Sequence, residues 1–442
     1  MPFKRTRTGC LTCREDGYKC DEQKPFCGRC VRLSKSCKGY GLKLKWQSPV
    51  KPQAKATKTA RKQSASTNLA INAQHSAILV PSRTMGSGMK SQHAYLLNHW
   101  STTLAALITM APTVQNQFHT HITPMIEHSP ALRSAVCSIA AYHLGILRGD
   151  ASLHTLALYY QTDVASSLSQ TILTESPLVA LATIMILQIT DRFFMTNSGV
   201  NHLQGAKGII KRAELTSLDC DAGTFLLSLC CYHDAMTSVS KRASPILGLG
   251  ANVPYLDELQ PMQGLEPLWA IISRISSMCS QSRSLHESEG AAIEQVLKSI
   301  DTLASREGDL GHTVHAYKEA AYIYLYRVWY NVGSPHPTTL RHARNCLSHL
   351  SQVSVSSPLA SVHAWPLWTA GCETIDAQLR ELVRERVKAM YEVRHMPSLQ
   401  RLQLDIEYVW QIKDNERSST GIDKVDCIQA ILVTRQREAD LI

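Results

Sequence analysis

The sequence predicts two folded parts of very different size: a small N-terminal module with two short helices, and a large C-terminal region built only from helices. Three observations support this division. Six of the 14 cysteines lie between residues 10 and 37, a segment too short to bury an adequate hydrophobic core. Beyond about residue 93, apolar residues recur at helical spacings of three and four. Positive charge is concentrated in the first 62 residues.

The clustered cysteines form one motif written twice. Each copy has the spacing C-x2-C-x6-C, and the six residues are Cys10, Cys13, Cys20, Cys27, Cys30 and Cys37. Structural zinc prefers thiolate ligands and takes four of them in a tetrahedron. Six sulfurs complete two such sites only if two are shared, and the repeat makes the equivalent Cys10 and Cys27 the natural bridging pair. The spacing therefore predicts two zinc ions, with a short helix after each C-x2-C turn.

Other interpretations of this cluster explain the residues less well. Disulfides require an oxidising compartment, which nothing in the sequence indicates. A single four-ligand site leaves two cysteines without a role. A thioredoxin-like redox pair belongs in a βαβ pattern, which the sequence does not show.

Charge is divided unevenly along the chain. Residues 1–62 contain 17 Lys and Arg against 4 Asp and Glu, a net charge of +13, whereas the remaining residues carry −3. This asymmetry indicates a polyanionic partner at the N-terminus, and nucleic acid fits best. A solvated basic tail is the alternative.

A basic linker is predicted at residues 41–92, between the cluster domain at 1–40 and the helical domain at 93–442. It is rich in Lys, Ala, Ser, Thr and Gln, which cannot build a core. Its cations suit non-specific phosphate contacts or part of a nuclear import signal, although a purely solubilising role explains them equally well. These cations are Lys43, Lys45, Lys51, Lys55, Lys58, Arg61 and Lys62. No sustained heptad follows the cluster, so a coiled-coil dimer is not predicted and homodimerisation is left open.

The C-terminal region is predicted to be one all-α domain with a dozen or so helices, which is large for a single domain and leaves a division into two lobes open. One face of residues 131–147 and one face of residues 268–278 are apolar. Helices are expected to start at Ser129-Pro130, Ser176-Pro177 and Ser357-Pro358, because serine can cap a helix and proline fits its first turn.

The sequence gives no indication of catalysis or of membrane insertion. Metalloprotease, nucleophile-elbow, Walker and dinucleotide motifs are all missing from the sequence. The aromatic run between Tyr322 and Tyr330 has helical spacing and favours core packing over a ligand pocket. The longest apolar stretch, 178–187, is too short to span a bilayer. Isolated cysteines such as Cys137 and Cys279 are expected to be buried. We therefore predict an intracellular protein that is not an enzyme.

The segment from Thr8 to Tyr40 resembles the fungal two-zinc, six-cysteine DNA-binding domain. The resemblance covers T-G-C-L-T-C-R, K-C-D-E-x-K-P and the spacing of all six cysteines. It implies that the first helix enters the DNA major groove and contacts a GC-rich triplet. It further implies DNA contacts from four cations: Arg14, Lys19, Arg29 and Arg32.

This chain departs from that family at two positions. Asp16 and Gly17 stand where the family usually has basic residues, one of which supplies the main base contact. An anion near phosphate and a missing cation should weaken DNA affinity.

The C-terminal region resembles the fungal-specific transcription factor domain. The matching pieces are Tyr95 with Trp100, the helix at 131–147, His202 to Ala206, His233-Asp234, Ala320 to Arg327, Trp365 to Leu367 and Gly371 to Glu373. The resemblance implies a regulatory role without catalysis.

Two functions follow. The first is a nuclear, zinc-dependent transcription factor that binds double-stranded DNA and contacts the transcription machinery to regulate RNA polymerase II genes, in particular a metabolic or secondary-metabolite gene cluster. The second is a zinc-stabilised co-regulator that acts through protein contacts and binds DNA weakly.

Overall fold

The computed structural model describes residues 10–23, 27–33, 35, 37, 87–110, 116–196, 201–213, 215–248, 265–280, 283–300, 308–421, 425–427 and 430–431. All regular secondary structure in these ranges is helical. The predicted fold class, a small cysteine-rich module followed by a large all-α region, is confirmed. The linker cations from Lys43 to Lys62 lie outside the described residues.

The N-terminal module contains two short helices, α1 (Leu11–Glu15) and α2 (Gly28–Arg32). Both follow a cysteine that caps the helix through its sulfur atom. The repeated motif of the sequence is therefore repeated in the backbone.

Sixteen α-helices fall within the described residues of the C-terminal region. They are α3 (Ser87–His99), α4 (Ala105–Ile108), α5 (Thr123–Ile126), α6 (Pro130–Arg148), α7 (Ala151–Thr174), α8 (Pro177–Phe194), α9 (His202–Arg212), α10 (Leu215–Leu218), α11 (Asp221–Lys241), α12 (Glu266–Met278), α13 (Arg283–Ser299), α14 (Gly308–Trp329), α15 (Pro337–Gln352), α16 (Ala364–Gly371), α17 (Ala377–Arg394) and α18 (Pro397–Thr420). The sequence predicted about a dozen, because one-turn helices such as α4, α5 and α10 are too short to show a periodic pattern.

One hydrophobic core joins these helices. Helix α6 packs on α7 and α8, α11 packs on α12, and α14 packs on α12 and α15. The C-terminal helices α17 and α18 pack on each other, and α18 also contacts α8 and α16. The largest buried side chains include Trp100, Trp269 and Trp365. Helices α6 and α8 are long and apolar enough to cross a membrane, but 78% and 67% of their apolar windows are buried, which identifies them as core helices.

Two of the three predicted Ser-Pro helix starts are confirmed. The Ser129 hydroxyl accepts from the amide of Leu132, and the Ser176 hydroxyl accepts from that of Val179. Ser357 differs, because Pro358 opens a 3-10 helix (Pro358–Val362) and the serine side chain makes no cap.

The predicted burial of isolated side chains is partly correct. Cys137 is fully buried, whereas Cys279 is only half-buried at the end of α12. In the aromatic run, Tyr322 and Tyr324 are core residues, but Tyr330 is 54% exposed because α14 ends at Trp329.

Candidate metal centre

The first half of the cysteine cluster is shaped by amide-to-sulfur hydrogen bonds. Cys10 precedes α1, and its Sγ accepts from the amide of Cys13 at 3.4 Å. The chain then returns, so that the Sγ of Cys20 accepts from the amide of Cys10 at 3.3 Å. Three sulfurs of one C-x2-C-x6-C unit therefore converge on one side of α1.

The second half repeats this pattern. The Sγ of Cys27 accepts from the amide of Cys30 at 3.3 Å, and the Sγ of Cys37 accepts from the amide of Cys27 at 3.5 Å. Equivalent bonds in the two halves give the module an approximate two-fold symmetry. Amide donors of this kind stabilise thiolates, which are the form of cysteine that binds metal.

The six sulfurs form two groups of four that share two members. One group is Cys10, Cys13, Cys20 and Cys27, and the other is Cys10, Cys27, Cys30 and Cys37; within each group all sulfurs lie within 4.8 Å of one another. The shared pair, Cys10 and Cys27, has its Sγ atoms 3.6 Å apart. This is the pair that the repeated spacing predicts as bridges.

The sulfur positions fit zinc. Zn–S bonds of about 2.3 Å in a tetrahedron place neighbouring sulfurs about 3.8 Å apart. The Sγ–Sγ distances are 3.8 Å for Cys10 with Cys30 and 3.7 Å for Cys13 with Cys27. All six cysteines are free thiols rather than disulfides.

Because these cysteines are buried, their thiolate form needs a nearby cation to be stable. Five of the six cysteines are buried, and Cys37 is half-buried. Burial raises the pKa of Cys27 to about 12 and also raises the pKa of Cys10. Zinc supplies the positive charge that offsets the desolvation of the thiolates, so metal binding and proton release are coupled.

Asp21 joins the two halves, a role that the sequence analysis did not assign. Its carboxylate accepts from the amide of Gly28 at 3.0 Å and from that of Arg29 at 2.8 Å, which caps the start of α2. A Cβ atom at residue 28 would lie 2.8 Å from Asp21 Oδ2, so a larger residue at this position would displace the capping carboxylate. An acidic residue seven positions before a short helix is the only signal in the sequence.

Gly17 ends α1. Its φ angle of +77° is in the left-handed region, and the next amide, that of Tyr18, donates to the carbonyl of Cys13 at 2.9 Å. This is the Schellman arrangement, which favours glycine at this position. The departure from the family at residue 17 therefore has a structural explanation.

Asp16 is paired within the module. Its Oδ2 lies 2.7 Å from Lys35 Nζ and 3.6 Å from Arg29 Nη1. These two cations, with the Lys35 hydrogen bond as the main cause, lower the pKa of Asp16. The negative charge that was expected to face phosphate is offset by cations of the same domain.

The four predicted DNA-binding cations lie in two different environments. Arg14, Lys19 and Arg32 are exposed. The guanidinium of Arg29 instead lies 4.2 Å from the centre of the Tyr18 ring and 3.7 Å from Cys13 Sγ, and only 16% of its side chain is exposed. Arg29 therefore supports the cluster from inside the module.

Comparisons with known proteins agree with these observations. Residues 8–47 match the fungal Zn(2)-Cys(6) binuclear cluster domain, and residues 95–432 match the fungal specific transcription factor domain. No solved structure matches the chain significantly.

Three curated relatives illustrate the similarity. White-opaque regulator 2 of Candida albicans is 65% identical over 37 residues, which are 8% of this chain and 8% of that protein. Transcriptional activator protein UGA3 of Saccharomyces cerevisiae is 26% identical over 167 residues, 33% of this chain and 31% of that protein. Pestheic acid cluster transcriptional regulator 3 of Pestalotiopsis fici is 52% identical over 42 residues, 10% of this chain and 7% of that protein.

The extent of these matches differs. The chain matches the first relatives over only 8% or less of their own length. The match to the helical domain, by contrast, covers most of the chain. The chain therefore belongs to the fungal transcription factors that combine a Zn(2)-Cys(6) cluster with the fungal specific transcription factor domain, a family of regulators and not of enzymes.

Proposed function

We propose that this chain is a zinc-dependent, DNA-binding transcription factor that regulates RNA polymerase II genes. The observation that carries the proposal is the pair of four-sulfur groups sharing Cys10 and Cys27. This arrangement lies in the segment that holds the excess positive charge of the chain. The family to which the chain belongs supports the same function.

Two zinc ions complete the module in this proposal. Cys13 and Cys20 would hold one ion and Cys30 and Cys37 the other, with Cys10 and Cys27 bound to both. The metal supplies structure rather than chemistry, because a module of this size lacks an apolar core and depends on the metal to fold. The role of the six cysteines is to fix α1 and α2 relative to each other.

Double-stranded DNA is the partner of this module. Arg14 on α1, with Lys19 just beyond it, presents exposed cations to phosphate and bases, and Arg32 does so from α2. Arg29 contributes by holding Asp16 and Tyr18 in place. Asp16 also forms an ion pair with Lys35. Fewer cations therefore reach DNA than in a module with basic residues at positions 16 and 17, and we expect moderate affinity for DNA.

The helical domain is the regulatory part of the molecule. We propose that it contacts proteins of the transcription machinery, and that the protein works in the nucleus. A second copy of the chain is a further partner, which sedimentation of the full-length protein tests directly. A relative is named as a cluster regulator for pestheic acid, which supports a secondary-metabolite gene cluster as the target of this chain.

The proposal is tested by site selection from a randomised double-stranded library at fixed ionic strength, using zinc-loaded full-length protein. The expected result is enrichment of a GC-rich triplet that a zinc chelator abolishes. The variant Arg14→Ala with Lys19→Ala should lose the enrichment. Its matched control, Arg344→Ala with Lys388→Ala, removes two exposed cations of the helical domain and should keep it. If the intact protein selects no site from the library, the proposal is wrong and the co-regulator function takes its place.

A further inference from the structure

Three half-buried histidines meet where the N-terminal part of α14 packs on the last turn of α15. His312 and His315 are three residues apart on α14, which places them on one face of that helix. His349 faces them from α15, and its ring stacks on that of His315 with the centroids 4.7 Å apart and an interplanar angle of 14°. The fold thus brings three imidazoles together, far in sequence from the cysteine cluster.

The closest contact in this group joins two imidazole nitrogens. His312 Nδ1 lies 3.2 Å from His349 Nδ1. Metal–nitrogen bonds of about 2.0–2.1 Å in a tetrahedral site place two ligand nitrogens about 3.3–3.4 Å apart. The two Nδ1 atoms therefore already have nearly the separation of two ligands of one ion. Imidazole is a ligand that Ni²⁺, Cu²⁺ and Zn²⁺ prefer.

A second histidine pair in the same domain differs in its surroundings. His99 Nε2 and His143 Nδ1 are 2.8 Å apart, but both rings are buried and His143 Nε2 also donates to the carbonyl of Arg394. His312 and His349 are only half-buried, and among the described residues they hydrogen-bond only to each other. An ion from solvent can therefore take up their nitrogens without breaking any other hydrogen bond.

A fourth histidine lies on the same pair of helices but has a different partner. His342 is seven residues before His349 on α15, and its Nδ1 lies 2.6 Å from a carboxylate oxygen of Glu319. That nitrogen is therefore occupied within the fold. His312, His315 and His349 have no carboxylate partner of this kind among the described residues, which limits the available nitrogen ligands to these three rings.

We propose that His312 and His349 bind one divalent transition-metal ion of the nickel, copper and zinc type through their Nδ1 atoms. In the metal-free protein one of these rings donates its Nδ1 proton to the other. When the ion binds, that ring carries its proton on Nε2 instead, so both Nδ1 atoms present a lone pair. Water completes the coordination. His315 is a positioning residue, because its stacked ring holds the plane of His349.

The bound ion joins α14 to α15 within the helical domain. An ion that binds the folded chain and not the unfolded chain stabilises the fold in proportion to its concentration. This site is separate in sequence and in ligand type from the six cysteines, so it responds to metal without any change in the zinc cluster. Two imidazoles hold an ion less tightly than four thiolates, so dialysis removes the ion from this site and leaves the cysteine-bound zinc.

The test is a calorimetric titration of untagged, zinc-loaded, full-length protein with nickel chloride at neutral pH. One nickel ion per chain should bind, the unfolding temperature should rise, and elemental analysis should still find all of the cysteine-bound zinc. Nickel uptake that is accompanied by loss of zinc would place the ion in the cysteine cluster and overturn the proposal. Absence of any nickel binding would overturn it as well.

Variants assign the ligands. His312→Gln and His349→Gln should each weaken nickel binding by roughly tenfold or more, and the double variant should show no rise in unfolding temperature. His128→Gln, which alters an exposed histidine, is the matched control and should bind nickel normally. Undiminished binding by the double variant would contradict the site.

Two further measurements examine His315 and the unaltered protein. His315→Ala should weaken binding, and His315→Phe should restore it because a phenyl ring keeps the stack on His349; failure of this rescue would contradict the positioning role. In the unaltered protein, nickel should protect His312 and His349, but not His128, from diethyl pyrocarbonate, because a ring with metal on Nδ1 and a proton on Nε2 has no free lone pair. Equal modification of His312 and His349 with and without nickel would overturn the proposal, even if a variant failed to fold.

Discussion

Lys35 Nζ lies 2.7 Å from Asp16 Oδ2, and this ion pair joins the end of α1 to the segment that follows α2. The contact spans 19 residues of sequence and replaces the repulsion that Asp16 was expected to exert on phosphate. It also removes Lys35 from the set of cations available to DNA. The effect of Asp16 on DNA binding is therefore exerted through its cationic partners.

We expect Asp16→Asn to tighten DNA binding about tenfold and to make the salt dependence steeper, because it releases Lys35 toward phosphate. The measurement is a titration of full-length protein with the selected site at several salt concentrations. Glu385→Gln, which removes an exposed anion of the helical domain, should change neither quantity. Weaker binding by Asp16→Asn would indicate that Asp16 contacts a base directly, as a carboxylate can with cytosine.

Asp21→Ala should loosen zinc retention. The variant leaves the amides of Gly28 and Arg29 without their cap, and loss of a helix cap costs about 1 kcal/mol, or about a fivefold weaker zinc affinity. Competition with a chromogenic chelator measures the change. Asp21→Asn keeps one acceptor oxygen, so its zinc affinity should lie between that of the unaltered protein and that of Asp21→Ala. Equal zinc retention in all three proteins would show that the cap does not contribute to the cluster.

Cys27→Ser should reduce the zinc content from two ions per chain to none, because both four-sulfur groups include Cys27. Cys13→Ser should retain one ion, since the group of Cys10, Cys27, Cys30 and Cys37 stays complete. Elemental analysis after dialysis distinguishes these outcomes. One zinc ion retained by Cys27→Ser would show that the two sites do not share this sulfur.

Glu373→Gln should destabilise the helical domain by about 3–5 kcal/mol, because it leaves the buried Lys413 and Arg327 without their shared carboxylate. Denaturant unfolding of the full chain provides the free energy. Glu381→Gln breaks an exposed pair with Arg384 and should cost less than about 1 kcal/mol. If the two variants unfold at the same denaturant concentration, the buried ion pairs do not stabilise the fold.

Acid should destabilise the helical domain through His143. Its Nε2 donates to the carbonyl of Arg394 at 3.0 Å, so its Nδ1 accepts from His99 Nε2 at 2.8 Å, and the ring is neutral. Burial lowers the pKa of His143 to about 4, whereas an unfolded histidine titrates near 6.5. The unfolded chain therefore binds more protons between these values, and stability should fall by about 3 kcal/mol as the pH falls from about 6.5 to about 4.

The measurement is the unfolding free energy as a function of pH for the full chain and for His143→Gln. The amide of glutamine can still donate to the Arg394 carbonyl but does not titrate, so the slope in this range should decrease. His128→Gln alters an exposed histidine and should leave the slope unchanged. A slope unaffected by His143→Gln would assign the acid sensitivity to other groups.

The features of the fold and of the metal centre that depend on local repetition could be predicted from the sequence. The shared role of Cys10 and Cys27 followed from two identical spacings. Helices α6 and α12 followed from apolar periodicity, and the starts of α6 and α8 followed from their Ser-Pro pairs. Contacts between distant residues had no such signal. Neither the capping of α2 by Asp21 nor the burial of Lys413 against Glu373 could be predicted, because these pairs depend on how the helices pack. In the sequence, Gly17 indicates only a missing DNA contact, because its left-handed backbone is shown by the structure alone.

The sharing of Cys10 and Cys27 also determines how a population of these molecules behaves when zinc is scarce. In the proposed two-zinc module, a chain that has bound one ion would already have ordered two of the four sulfurs that the second ion requires, so we expect the second ion to bind more readily than the first. Limited zinc then divides the population into fully loaded and empty chains, with few at half occupancy. Falling supply would reduce the number of competent molecules while each remaining one keeps its full affinity for DNA.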